Sequence, residues 1–255
     1  MILNKSYEIS ELNVLEVLNF ENKQYKANIR TYKEMKDLFY YKDTVYDENL
    51  ILYYVFRNLS NEEIEDALKE EDLRIDLTVM KDIVIMEEYN KTYGHYHPEA
   101  SPGRSFPELY QILKGKVMFV LQKSYNNVID ELLLIEAKEG ETVIIPPNYG
   151  HNMINLNNDL SITLNLVSSR FIPIYSKYDT LKGASVYILK ENKIAINKNY
   201  ILNTQPKFMK TKLKNENIFN DLIKDRRKFR FLNWPYDIMN YFEFLEETFI
   251  NMQFL

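Results

Sequence analysis

The chain has 255 residues, 45% hydrophobic and 27% charged, with a formal net charge of -5 at pH 7. That is enough for one sizeable core with material left over, and the wrong sign for a protein whose main partner is a phosphate backbone. There is no cysteine, which excludes disulfide scaffolds and thiolate metal sites. The first residues lack the basic-then-apolar order of a secretory signal, and no run approaches the ~20 apolar residues of a membrane helix. A soluble, cytoplasmic protein with neither a membrane nor a nucleic-acid partner is expected.

Residues 1–50 read as an N-terminal lead-in that packs on the main domain. Ser10 to Leu18 carries loose helical spacing, and Tyr32 to Phe39 another helical turn or two. Leu50 to Phe56 is apolar and short enough for a buried strand. Ser60 and Glu63 are spaced as a capping box, predicting a helix to about Lys69. From Leu73 to Val79 the chain alternates strictly, so Arg74, Asp76 and Thr78 share one face. Alternation alone fits an exposed face or a cavity wall equally well. Met80 to Tyr89 is expected to continue as strand. Tyr110–Leu113 and Lys116–Gln122 flank Lys114-Gly115 as in a hairpin. Further strands are predicted at Glu131–Ala137, Thr142–Ile145, Met153–Leu156 and Leu160–Val167, and regular short strands with turns between them mean a sandwich or a barrel. Ser185–Leu189 and Lys193–Ile196 form a last hairpin around Glu191-Asn192. After Tyr200 the composition shifts. Ile218, Leu222 and Ile223 suggest one amphipathic helix, and Ile238, Phe242, Leu245 and Phe249 a second one after Pro235. The basic run Lys224, Arg226, Arg227, Lys228, Arg230 reads as a solvated helix face. The division is therefore 1–50, 51–204 and 205–255, with the helical tail packed on the barrel or across a subunit interface.

The chemistry concentrates between Thr92 and Asn155, where all three histidines of the chain lie. His95 and His97 stand two apart, so on an extended segment both imidazoles leave the same face. With Glu108 and His151 they make three nitrogens and one oxygen, a donor set suited to iron, manganese, nickel or zinc in the divalent state.

The same stretch resembles the two-part signature of the cupin superfamily: His95-x-His97, then Glu108 with Gly115 seven positions on, then Gly140, Pro146, His151 and Asn155. The gap from His97 to Glu108 is longer than the usual pattern and holds Pro98, Pro102, Gly103 and Pro107. Within that superfamily, Leu73–Thr78, Lys91–Pro98, Pro107–Tyr110, Leu121-Gln122, Pro146–His151 and Ile154-Asn155 are similar to the metal-dependent glucose-6-phosphate isomerases of archaea and some bacteria. The likeness runs from about Leu50 to Tyr200. It implies a double-stranded β-helix, or jelly-roll barrel, acting in glycolysis and gluconeogenesis as a cytoplasmic homodimer on a sugar phosphate. It also implies a divalent metal, Fe2+ first among the candidates, on His95, His97, Glu108 and His151, with Glu108 central to catalysis. Thr78, Thr92 and Gly94 would meet the phosphate, Tyr53 and Tyr110 would line the sugar site, and Arg74 would bind phosphate or hold Asp76. Some members place a histidine after the last core strand. This chain has none there, which leaves Tyr175 or Tyr178 as replacements.

Aldose-ketose isomerisation proceeds either through a cis-enediol formed by a base or by a hydride shift between oxygens polarised by the metal. The sequence leaves both open. It also leaves open a mannose 6-phosphate isomerase, an iron dioxygenase and a non-enzymatic sugar-binding cupin, since many functions share this fold.

Overall fold

The computed structural model describes residues 16–44, 46–214 and 217–255. Two β-sheets face each other across a buried interior. The first has six strands in the order Thr142–Ile145, Glu108–Lys114, Ser161–Ser168, Leu73–Met80, Ile51–Phe56 and Asn28–Thr31, all antiparallel. The second runs Gly150–Asn155, Lys116–Tyr125, Val128–Lys138, Lys207–Thr211 and Leu245–Glu247. A third, smaller sheet contains Val186–Leu189 and Lys193–Ile196. This is the jelly-roll architecture that the strand pattern and the cupin likeness imply.

Strand alternation sorts the side chains into layers. Ile75, Leu77 and Val79 point outward from the first sheet into a core shared with Phe219, Leu222, Phe229 and Leu232 of the tail. The residues between them, Arg74, Asp76 and Thr78, point inward and line a cavity, which settles the choice that alternation left open. The interior between the sheets is filled by Phe119, Leu121, Leu133, Ile135, Val143 and Met153. Met118, Val120, Leu132 and Leu134 face outward onto Val186, Ile188 and Tyr178.

Several expected elements differ. Lys114-Gly115-Lys116 does not close a hairpin: Glu108–Lys114 pairs only in the first sheet and Lys116–Tyr125 only in the second, and Gly115, at φ +85°, turns the corner between them. The extended run stops at Met80, and a separate short hairpin, Val84–Ile85 with Glu88–Tyr89, comes after it. The helix before Leu73 spans Glu65–Glu70, with no side chain capping it; in the turn before it Asn61 Oδ1 accepts from Ile64 N at 3.1 Å, while Ser60 accepts from Lys23 Nζ. Residues 10–15 of the first expected helix lie outside the described residues, and its end, Val17–Phe20, is a strand. In the tail Ile218–Lys224 is helical as expected. The second expected helix is absent: after Pro235 the chain makes the 3-10 turns Pro235–Asp237 and Tyr241–Phe244, then the strand Leu245–Glu247. Asn240 Oδ1 caps the second turn through Phe242 N, and Leu245 pairs with Thr211, so backbone groups find partners without a helix. The tail likewise opens on a strand, Lys207–Thr211, laid parallel to Val128–Lys138.

Candidate metal centre and substrate cavity

Glu108 begins its strand on the inward face, and His151 lies inward on the facing sheet, opposite Leu121. The segment carrying His95 and His97 is extended, though only bridged rather than a full strand: His95 pairs with His151 and Tyr96 with Ile174. Alternation therefore still sends both imidazoles inward. The four donor atoms lie within 4.8 Å of one another. His95 Nε2 stands 3.1 Å from His97 Nε2, and Glu108 Oε2 stands 3.1 Å from His151 Nε2, 3.3 Å from His97 Nε2 and 4.0 Å from His95 Nε2. Donors sharing one ion at ~2.1 Å are about 3.0 Å apart when cis in an octahedron and about 3.4 Å apart in a tetrahedron. Three of these separations match such edges.

Protonation fits as well. His97 Nδ1 faces the Phe106 carbonyl oxygen at 2.8 Å, so the proton sits on Nδ1 and the Nε2 lone pair points at the cluster. Burial, then the neighbouring His151 and His97, hold His95 well below the ordinary imidazole value. Burial also lowers His151, against the pull of Glu108. At Glu108 burial works upward, but the hydrogen bonds and charges of His151 and His97 prevail and hold the carboxyl well below its usual range. A cation is bound through unprotonated imidazole nitrogens and an ionised carboxylate. The donor set fits a divalent metal.

Asn165, set in register between Tyr110 and Asp76, donates from Nδ2 to Glu108 Oε1 at 2.7 Å. One carboxylate oxygen is thereby fixed while the other faces the imidazoles. Tyr110, two residues on from Glu108, is buried beside it; burial, then the Glu108 charge and hydrogen bond, push its hydroxyl well above the ordinary value.

The four donors form one wall of a cavity that opens to solvent. The residues that the likeness assigns to substrate line it too: Tyr53, Arg74, Thr78, Thr92, Gly94 and Tyr110. Thr92 Oγ1 accepts from Met153 N at 2.9 Å, which orients that hydroxyl. Tyr53 Oη accepts from Tyr93 N at 3.2 Å, and burial pushes the phenol up to about 12. Gly94 adopts φ +85°, and a Cβ there would stand 2.3 Å from the Tyr178 ring; close packing demands glycine at this position whatever it binds. Tyr178 is fully buried behind it and does not line the cavity, whereas Tyr175 does, its ring 5.5 Å from that of His95. Asn155 is structural: its amide donates to the Lys81 and Asp159 carbonyls.

Arg57 and Asp76 complete the opposite wall. Asp76 Oδ2 accepts from Arg57 at 2.9 Å and from Arg74 Nε at 3.1 Å, and Oδ1 accepts from Asn58 N at 3.0 Å. Two guanidinium charges against one carboxylate leave a net positive charge. Arg57 and Asn165 carry no signal in the sequence, because each gains its meaning only from a cross-strand neighbour.

A jelly-roll barrel with three imidazoles and a carboxylate converging inside it defines a cupin with a metal-binding centre. The family model for glucose-6-phosphate isomerase (GPI) matches residues 29–205, and the chain belongs to that family. The glucose-6-phosphate isomerase of Thermococcus litoralis is 30% identical over 173 residues, 66% of this chain and 82% of that protein. Among solved structures, an oxalate oxidase in complex with the substrate analogue glycolate overlaps 41% of this chain and 46% of its own at 16% identity, TM-score 0.31. An oxalate decarboxylase of Bacillus subtilis overlaps 48% of this chain and 28% of its own at 12% identity, TM-score 0.35. This chain spans less than half the length of those two.

Proposed function

We propose that this chain interconverts glucose 6-phosphate and fructose 6-phosphate at a divalent ion held by His95, His97, Glu108 and His151. One observation carries the reading: a single cavity joins a cation-seeking donor set to an arginine wall of net positive charge. That pairing suits a sugar whose reacting end meets a metal and whose far end is anionic. Thr78, Thr92 and Gly94 receive the phosphate, Arg57 and Arg74 supply its charge partner, and Tyr53, Tyr110 and Tyr175 line the sugar. A dioxygenase would call for an apolar lining that these residues do not make. Fe2+ is the proposed ion, with Mn2+, Ni2+ or Zn2+ compatible with the same donors. The proposed setting is the cytoplasm, in glycolysis and gluconeogenesis, as a homodimer. Among the described residues no helix is long and apolar enough to cross a membrane.

When bound, the ion would supply Lewis acidity at the reacting end of the sugar. Glu108, with Oε1 held by Asn165 and Oε2 turned to the imidazoles that would share the ion with it, has neither oxygen free to take a proton from carbon. The site therefore favours transfer of hydrogen with its electron pair from C2 to C1. The O2 proton passes to O1, so the aldehyde becomes a primary alcohol and C2 becomes the ketone. Glucose 6-phosphate deuterated at C2 tests both levels of this reading. Fructose 6-phosphate keeping the deuterium at C1 is expected; product with the label lost to water would make Glu108 the base, and no product at all would overturn the isomerase.

A further inference from the structure

The segment between the ligands His97 and Glu108 is a small hairpin, Glu99–Ser101 with Arg104–Ser105, and it is clasped from two sides. On one side Asn148, three residues before His151, accepts from Ser105 N at 2.9 Å and donates to the Gly103 carbonyl at 2.8 Å. On the other side stands the C-terminal tail, which lies beyond the family match ending at residue 205. Arg104 donates to the carbonyls of Pro235 and Ile238 at 3.0 Å each, with its guanidinium 4.3 Å from the Tyr236 ring centre. Tyr236 Oη in turn donates to the Pro102 carbonyl at 2.7 Å.

The tail is a firm support at this point. Asn233 is buried, donates to the Glu71 carbonyl at 2.6 Å and accepts from Ser168 Oγ at 2.5 Å. Tyr241 Oη donates to the Pro235 carbonyl at 3.0 Å, and Phe231, Leu232 and Tyr241 belong to the core. From Arg104 the chain runs through Ser105 to Phe106, whose carbonyl takes the Nδ1 proton of His97 and whose ring stacks on Phe171 at 4.8 Å, Phe171 lying in turn against the His97 ring at 4.4 Å.

We propose that the C-terminal tail buttresses the metal centre, with Arg104 as the positioning residue that carries its hold to the Phe106 carbonyl and so to the orientation of His97. The inference rests on the metal-centre reading. Partners that orient a ligating imidazole change metal affinity by about 10- to 100-fold when lost, and Arg104 acts one step further out, so the lower end applies.

The test is titration of the full-length, chelator-stripped protein with Mn2+ by calorimetry, for the parent, Arg104→Ala and Tyr236→Phe, with KM for fructose 6-phosphate measured at saturating Mn2+. Arg104→Ala should bind Mn2+ about 10-fold more weakly and Tyr236→Phe about 3-fold more weakly, both with parental KM. Parental Mn2+ affinity in Arg104→Ala overturns the proposal, as does a raised KM with unchanged affinity, which would put Arg104 in sugar binding. Should Arg104→Ala fail to fold, Tyr236→Phe, which loses one half-exposed hydroxyl, decides on the same criteria. A parent that binds no Mn2+ would instead refute the metal centre itself.

Discussion

The two walls of the cavity are built on opposite electrostatic plans. On one, three imidazole nitrogens and the buried Glu108 carboxylate converge as a donor set for a cation. On the other, Asp76, with its side chain 2% exposed, is shared by Arg57 and Arg74, leaving an uncompensated positive charge. Buried charge without a partner is costly. The first wall fits a cation, and we propose that the second, whose Arg57 side chain is 38% exposed, receives an anion. The two groups are kept on separate strands of one cavity.

Removing the negative wall's charge should have the largest effect. Glu108→Gln is expected to keep the fold and lower turnover of fructose 6-phosphate by about 10³-fold. Parental turnover in a coupled assay would show that the donor set is not where the reaction happens. Loosening that wall without changing its charge comes next. Asn165→Ala frees Glu108 Oε1 and should weaken Mn2+ binding by about 30-fold, measured by competition with a chelating indicator; an unchanged affinity would mean the carboxylate is oriented by the imidazoles alone. The positive wall should respond differently. Arg57→Met retains bulk and is expected to raise KM for fructose 6-phosphate about 10-fold with little change in kcat. If kcat falls and KM does not, the arginine wall serves the reacting end and the division between the walls is wrong.

The same contrast explains what is legible in the sequence. His95, His97, Glu108 and His151 are readable because ligand chemistry restricts the residue types and alternation puts His95 and His97 on one face. Arg74, Asp76 and Thr78 are readable as a shared face because the outward partners Ile75, Leu77 and Val79 are uniformly apolar. Arg57 is not, since it lies just past the end of its strand and reaches Asp76 only through the sheet. Asn165 is not, because an asparagine within an apolar run says nothing until register sets it between Asp76 and Tyr110. The corner at Gly115 reads as a hairpin because a glycine turn joins two strands of one sheet and strands of facing sheets with the same local signal. The tail misleads for a different reason: Phe242 and Leu245 keep helical spacing, yet an Asn240 cap and pairing with Thr211 satisfy that backbone as a 3-10 turn and a strand.

Turnover is predicted to require a metal on the imidazole and carboxylate wall, and the direct measurement is isomerase activity on fructose 6-phosphate before chelation, after it, and after each divalent ion is restored. Activity lost with the chelator and regained with Fe2+, Mn2+ or Ni2+ is the expected result. Undiminished activity in protein stripped of metal, with the loss of metal verified by elemental analysis, would contradict it.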